Sequence, residues 1–193
     1  MKSALLLLLL FGLVIVPQKT EATAQVPDTL IWNAETYPLF ENPLEEYFCQ
    51  KDEWPDVFDF GPSFTHCTRG YSATFEIKDS KLYLTKISKL LPKRKKWWER
   101  WKKDEEKFPC EWRELPITSV FPNAEGSVFA EWYSGSIIVP QGEQLEYVHV
   151  GYASIYEKEI HVEVEKGIVK KTETIDNSKK YPVKEEKESE QIK

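Results

Sequence analysis

Histidine, cysteine and glycine are scarce in this chain, and the short motifs of several common reaction centres do not occur. The 193 residues include three histidines, three cysteines and eight glycines. No C-x-x-C pair is present, which excludes zinc knuckles and dithiol redox motifs. No G-x-S-x-G elbow, phosphate-binding loop or dinucleotide fingerprint occurs either. We therefore assign no catalytic residue and expect no cofactor.

Long apolar runs are lacking apart from one near the N-terminus. Lys2 precedes an apolar stretch over residues 4–16, and Ala22-Thr23-Ala24 has the small-x-small pattern that signal peptidase cleaves. The stretch is shorter than the roughly 20 residues that a membrane-spanning helix needs. We predict a signal peptide over residues 1–24 and a protein secreted to the extracellular space. A retained signal anchor is the alternative.

A large excess of charge of one sign is also lacking. The chain carries 26 Lys and Arg against 32 Asp and Glu, for a net charge of −6. Proteins that bind nucleic acid usually have a basic balance, so we expect no nucleic-acid partner. The length predicts a single β-rich domain over residues 25–171. Apolar residues thin out afterwards, which predicts a disordered charged tail over residues 172–193.

The three cysteines allow at most one disulfide within the chain. In an oxidising compartment a bond between two of them is expected, either Cys49–Cys67 or Cys67–Cys110, and the sequence does not choose. The remaining thiol is either buried and inert or available for an intermolecular disulfide.

Alternating apolar and polar residues predict strands in the first half of the chain. The clearest hairpin begins at Tyr71, where every second residue is apolar, and turns at Asp79-Ser80. A shorter hairpin is predicted around Asn33-Ala34-Glu35. Asn42 as N-cap and Pro43 at the first helical position then predict a short helix that ends near Phe48.

The second half is also predicted to be made of strands. Gly135 is expected to form a bulge within the first of them. Strands are predicted over residues 127–139, 145–150 and 155–164, with turns at 140–142 and 165–167. The predicted fold is therefore mainly β: an antiparallel sheet forming a sandwich or a barrel-like domain, with one or two short helices.

Residues 86–109 form a basic segment that is rich in tryptophan. Helical spacing, with Leu90 and Leu91 extending the apolar stripe, predicts an amphipathic helix that could bind anionic lipid or an anionic glycan. Packing of that stripe on the sheet, with acidic residues from 25–60 balancing the charge, is the alternative. The candidate binding residues are Lys93, Arg94, Lys95, Lys96, Trp97, Trp98, Arg100 and Trp101.

Two further groups of residues could form sites. His161 and Glu163 share one face of a predicted strand, and His149 could join them from the neighbouring strand to hold a metal ion in a hydrolase or another metal-dependent enzyme. Structural surface pairs are the alternative. Flat aromatic rings could also form a carbohydrate platform, although core packing would explain each ring equally well. The candidate rings are Trp32, Trp54, Trp112, Trp132 and Tyr133.

Three motifs in order along the chain resemble a family of uncharacterised bacterial proteins. They are N-P-L-E-x-Y-F from Asn42, R-G-Y-x-A-x-F-E-I from Arg69, and Y-V-H-x-G-Y-x-S-x-Y-E from Tyr147. The resemblance covers about residues 28–170 and implies one small β-rich domain without an established activity. We therefore expect a secreted, non-enzymatic binding or structural protein whose ligand is unknown.

Overall fold

The structure, a computed structural model, describes residues 25–52, 54–58, 66–93, 110–148 and 151–180. These residues form nine strands, one α-helix and two short 3-10 turns, at Asp56–Phe58 and Ile117–Ser119. None of the described helices has the length and apolar character needed to span a membrane. The main elements are β1 (Asp28–Trp32), β2 (Glu35–Leu39), α1 (Pro43–Lys51), β3 (Tyr71–Lys78), β4 (Lys81–Pro92), β5 (Cys110–Leu115), β6 (Val128–Phe129), β7 (Gly135–Glu146), β8 (Ile155–Glu165) and β9 (Ile168–Asp176).

The nine strands form one sheet in the order β2-β1-β3-β4-β9-β8-β7, with β5 and β6 also paired to β4. The mainly β prediction is confirmed. The sheet is mixed rather than purely antiparallel, because β1 and β3 run parallel. The chain between them contains β2 and α1. After α1, β3 pairs with the side of β1 that β2 leaves free and runs in the same direction as β1.

The sheet curves so that its two outermost strands, β2 and β7, come close together. β4 and β9 are paired only at Lys81 and Ile168, so the strands on either side of this junction can diverge. At the far ends of the order, the backbone N–H of Phe40 donates to the carbonyl of Ile138 at 3.1 Å, just after β2 and within β7. The arrangement is therefore sandwich-like rather than closed.

Three predicted turns are confirmed, and each has two central residues. Both central residues of each turn have positive φ, between 47° and 74°. A type I′ turn requires this conformation, and its twist matches that of the flanking strands. Asn33-Ala34 joins β1 to β2, Asp79-Ser80 joins β3 to β4, and Lys166-Gly167 joins β8 to β9.

Two predictions in the region of β7 are wrong. Pro140, Gln141 and Gly142 do not turn the chain, because β7 continues through them. The register with β8 shifts between Gln141 and Gln144 and again between Gln144 and Glu146. Gly142 has φ +75°, and a β-bulge accommodates this conformation without reversing the strand. Residues 145 and 146 are therefore the end of β7 rather than the start of a separate strand, and residues 149 and 150 of that prediction lie outside the described residues. Gly135 begins β7 and is not a bulge.

The core lies between the sheet and α1. Tyr71, Ala73, Phe75 and Ile77 of β3 all point inward, which follows from the two-residue period of a strand. α1 contributes Leu44 and Phe48 to the same cluster and ends three residues beyond the predicted Phe48.

β9 continues five residues beyond the predicted domain end at residue 171, to Asp176. The predicted signal peptide and residues 181–193 of the predicted tail lie outside the described residues.

Candidate functional site

Most of the predicted basic helix lies outside the described residues. Pro92 pairs with Cys110 at the end of the β4–β5 hairpin, so residues 93–109 connect these two strands. Lys93 is described and exposed, whereas Arg94, Lys95, Lys96, Trp97, Trp98, Arg100 and Trp101 are not described. Leu90 and Leu91 were predicted to belong to the helical stripe, and this is wrong because both are in β4. Cross-strand pairing with β5 holds them extended.

The candidate metal ligands are only partly described. His161 lies on β8 with its Nε2 3.2 Å from Oε2 of Glu159, and Glu163 lies two residues further along the strand, opposite Lys171. His149 lies outside the described residues. Within the ranges that the structure covers, no three His, Cys, Asp or Glu side chains lie close enough together to hold a metal ion.

The predicted disulfide is wrong in this structure, because Cys49, Cys67 and Cys110 are all free thiols. Cys49 is exposed on α1, whereas Cys67 is buried with its Sγ 3.5 Å from the carbonyl oxygen of Tyr71. Cys110 begins β5 beside Pro92. Burial raises the pKa of the Cys67 thiol, so the reactive thiolate is disfavoured there.

A concave surface lies on the outer face of the sheet, over β1 to β5. Because side chains alternate along a strand, inward Tyr71, Ala73 and Phe75 leave Ser72 and Thr74 on the opposite face. The groove formed there encloses about 540 Å³. We call it the hydroxyl groove. It is lined by Val26, Pro27, Asp28, Thr29, Thr36, Tyr37, Pro38, Ser72, Thr74, Lys86, Ser88 and Trp112.

Trp112 is the exposed aromatic ring of the hydroxyl groove. It lies on β5 opposite Leu90, and it is 42% exposed although tryptophan is usually well buried. On the adjacent strand, Nζ of Lys86 lies 3.0 Å from Oε2 of Glu114, and both side chains are largely exposed. The groove therefore combines hydroxyl groups, a flat apolar ring and one cation.

The other candidate rings are packed elsewhere. Trp132 stacks on Phe121 with ring centroids 5.3 Å apart, and its indole N–H donates to the carbonyl of Pro43 at 2.8 Å. Trp54 contacts the ring of Phe48 at 4.8 Å. Trp32 packs against the core, and Tyr133 belongs to it. Of the five candidates, only Trp112 lines the hydroxyl groove.

A buried polar cluster holds the strands beneath the groove together. Asp28 is fully buried, and its Oδ1 accepts hydrogen bonds from Arg69 Nη2 at 2.7 Å and from the backbone N–H of Ala73 at 2.8 Å. Arg69 also donates to the carbonyl of Val26 at 2.8 Å and to the hydroxyl of Tyr152 at 3.0 Å. Since Asp28 begins β1 and Ala73 is in β3, these bonds stabilise the parallel pair that forms the groove floor.

Burial dominates the electrostatics of this cluster. It raises the pKa of Asp28 to about 6, although the nearby Arg69 guanidinium and the Ala73 N–H act in the opposite direction. Burial also raises the pKa of Tyr71 well above 10. Oδ2 of Asp28, Nε of Arg69 and the hydroxyl of Tyr71 are buried without a hydrogen-bond partner among the described residues. A buried polar atom without a partner costs free energy, and the hydrogen bonds that Asp28 and Arg69 do form act against that cost.

Sequence reasoning missed this cluster, although all its side chains except Asp28 belong to the three motifs. Tyr152 donates its hydroxyl hydrogen to one acceptor at a time, and both Asn42 Oδ1, at 3.1 Å, and the Val26 carbonyl, at 3.2 Å, are within reach. Asn42, Arg69 and Tyr152 each come from a different motif. The signal was therefore present, but nothing in the sequence indicated that the motifs meet.

Comparison of the chain with family models, curated proteins and solved structures gives no match.

Proposed function

We propose that this protein is a non-enzymatic carbohydrate-binding protein that acts outside the cell, with the hydroxyl groove as its binding site. The observation that carries the proposal is the half-exposed Trp112 indole beside a hydroxyl-lined concave surface. A flat ring stacks on the apolar face of a sugar, and hydroxyl groups exchange hydrogen bonds with the sugar's own hydroxyls.

Binding without hydrolysis suits the groups that line the groove. Glycoside hydrolysis generally uses two carboxyl groups on either side of the scissile bond. Asp28 is the one acidic residue in the described lining, and its carboxylate bonds to Arg69 and Ala73 on the core side of the sheet. The lining therefore supports recognition rather than acid–base chemistry.

An anionic glycan is the ligand class that we favour. Lys86 lines the groove, where Glu114 balances part of its charge. The Lys- and Arg-rich residues 93–109 supply further cations, and they connect the two strands that carry Lys86 and Trp112. Cations attract carboxylated or sulfated sugars over a longer range than hydroxyl groups can. The proposal therefore joins the hydroxyl groove and the basic segment in one binding region.

The test measures binding of the purified protein to heparin, to a polyuronate and to an uncharged polysaccharide. Trp112→Ala is expected to weaken binding to both anionic polymers about tenfold, the effect of losing one stacked ring. Lys86→Ala is expected to weaken anionic binding in a salt-dependent manner. Tyr147→Ala is the matched control, because Tyr147 is 49% exposed and does not line the groove.

The basic segment is tested separately with Lys95→Ala and Trp97→Ala. Weaker binding to the anionic polymers in these variants would support its part in the site. Binding to phosphatidylserine vesicles but to none of the polymers would indicate a membrane ligand and contradict the proposal. Wild-type protein that binds no polymer would also contradict it.

A further inference from the structure

The outer edge of β9 is open for most of its length. β9 pairs with β8 from Ile168 to Asp176, but it pairs with β4 only at Ile168. One more backbone bond follows, from the N–H of Val169 to the carbonyl of Ser80 at 2.9 Å. From Lys170 onward, no strand within the described ranges pairs with this edge. Unpaired backbone groups along a regular strand are a template for another strand.

The open edge is also exposed on both faces. Every residue from 170 to 176 is exposed, including Ile175 at 37%. After the register shift near Val164, the ladder with β8 is regular from Lys171 to Asp176. A second strand could therefore approach without displacing any described side chain from the core.

The charges along this edge are complementary to those of a second, antiparallel copy of the same edge. When β9 is aligned antiparallel with a second copy and centred on Thr172, Lys171 of each chain lies opposite Glu173 of the other. Thr172 lies opposite Thr172, and Lys170 opposite Thr174. Opposite charges directly across an antiparallel pair are stabilising, whereas like charges are destabilising.

Lys171 and Glu173 already pair within one chain. Nζ of Lys171 lies 2.6 Å from Oε2 of Glu173, and both side chains are more than half exposed. This bond raises the pKa of Lys171 and lowers that of Glu173, so both groups are charged at neutral pH. Natural edge strands often discourage pairing with charges. Here Lys171 and Glu173 lie symmetrically about Thr172, so a second antiparallel copy meets opposite charges in this register.

We propose that two copies of this protein associate through antiparallel pairing of their β9 strands in the register centred on Thr172. The result is a two-fold symmetric dimer in which β7, β8 and β9 of both chains form one continuous six-stranded ribbon. A single strand–strand ladder buries little surface, so this is a weak, concentration-dependent dimer. The hydroxyl groove lies over β1 to β5, so the dimer leaves it open.

Sedimentation velocity over a range of concentrations at low salt tests the dimer. Wild-type protein is expected to shift toward the dimer as its concentration rises. Lys171→Glu and Glu173→Lys should each abolish that shift, because each places like charges opposite one another. The combined Lys171→Glu, Glu173→Lys variant restores opposite charges and should dimerise like the wild type. Glu125→Lys reverses an exposed charge away from β9 and serves as the control.

Circular dichroism of each variant checks that the fold is retained, which is expected because all these positions are exposed. Wild-type protein that remains monomeric at its solubility limit would overturn the proposal. So would a dimer that survives either single reversal, or one that the combined variant does not restore, because both results would exclude this register.

Discussion

The guanidinium of Arg69 lies 3.0 Å from the hydroxyl of Tyr152, which is 83 residues further along the chain. The same guanidinium forms a buried ion pair with Asp28, 41 residues earlier. Arg69 therefore links the start of β1, the start of β3 and the connection between β7 and β8. Phe40 completes the link by stacking on Tyr152, with ring centroids 5.2 Å apart and the planes nearly parallel.

Arg69→Met should strongly destabilise the protein at pH 7. The substitution keeps an unbranched apolar stem but leaves the Asp28 carboxylate buried without its cation, which costs about 3–5 kcal/mol of unfolding free energy. Urea denaturation provides the measurement. Lys170→Ala is the control, because it breaks an exposed ion pair with Glu165 and should cost less than about 1 kcal/mol. If both variants lost the same unfolding free energy, the buried ion pair would contribute no more to stability than the exposed pair.

Asp28 should give the protein a characteristic dependence of stability on pH. Its pKa of about 6 in the folded chain exceeds the ordinary value of 3.8, so between pH 4 and 6 the folded state binds a proton more tightly than the unfolded state. Its contribution to the unfolding free energy is therefore largest below pH 4 and declines as the pH rises through 6.

Asp28→Asn provides the comparison because it cannot titrate. The unfolding free energy of the wild type minus that of Asp28→Asn should fall by about 2 kcal/mol between pH 4 and pH 7. Urea titrations of both proteins at several pH values measure this difference. A difference that is constant with pH, or that rises with pH, would contradict the burial-dominated pKa of Asp28.

Gly167→Ala should destabilise the protein more than Gly151→Ala does. Both glycines have positive φ, +74° and +51°, so alanine is strained by about 1–2 kcal/mol at either position. A Cβ at Gly167 would also lie 2.7 Å from the carbonyl oxygen of Ala130, whereas a Cβ at Gly151 would meet no atom within 4 Å. Thermal unfolding of both variants measures the added effect of the close contact with Ala130. Similar melting temperatures would show that this contact does not destabilise Gly167→Ala.

All three cysteines should react with a thiol reagent once the chain is denatured. The denatured chain should react with three equivalents of a thiol reagent, since Cys49, Cys67 and Cys110 form no disulfide in the structure. In the native protein Cys49 should react fast because it is exposed, and Cys67 slowly because burial covers its sulfur and raises its pKa. One equivalent per denatured chain would instead reveal the disulfide predicted from the sequence.

Local features of this fold could be predicted because they depend on neighbouring residues. The alternation in β3 placed Tyr71, Ala73 and Phe75 on the core face, and the turn at Asp79-Ser80 followed from residues that tolerate positive φ. The same local reasoning failed at Pro140-Gln141-Gly142. These residues favour a turn in isolation, but pairing with β8 on both sides keeps β7 extended.

The role of Asn42 shows the same limit. It precedes α1 as predicted, and its carbonyl accepts the first helical bond from the N–H of Glu45 at 3.0 Å. Its side chain does not cap the helix and instead lies within hydrogen-bond distance of the Tyr152 hydroxyl. A distant partner thus displaced the local hydrogen bond, and no pattern around residue 42 could indicate that partner.

The amino-acid order by itself determined the clearest hairpin, its turn at Asp79-Ser80 and the face of β3 that meets the core. These outcomes follow from backbone sterics and the two-residue period of a strand, which act over a few residues. Only the tertiary structure decided that β1 lies parallel to β3, that Trp112 borders a hydroxyl-lined groove and that Arg69 meets Asp28 and Tyr152. Contacts between distant segments depend on burial summed over the whole chain, which no local pattern encodes.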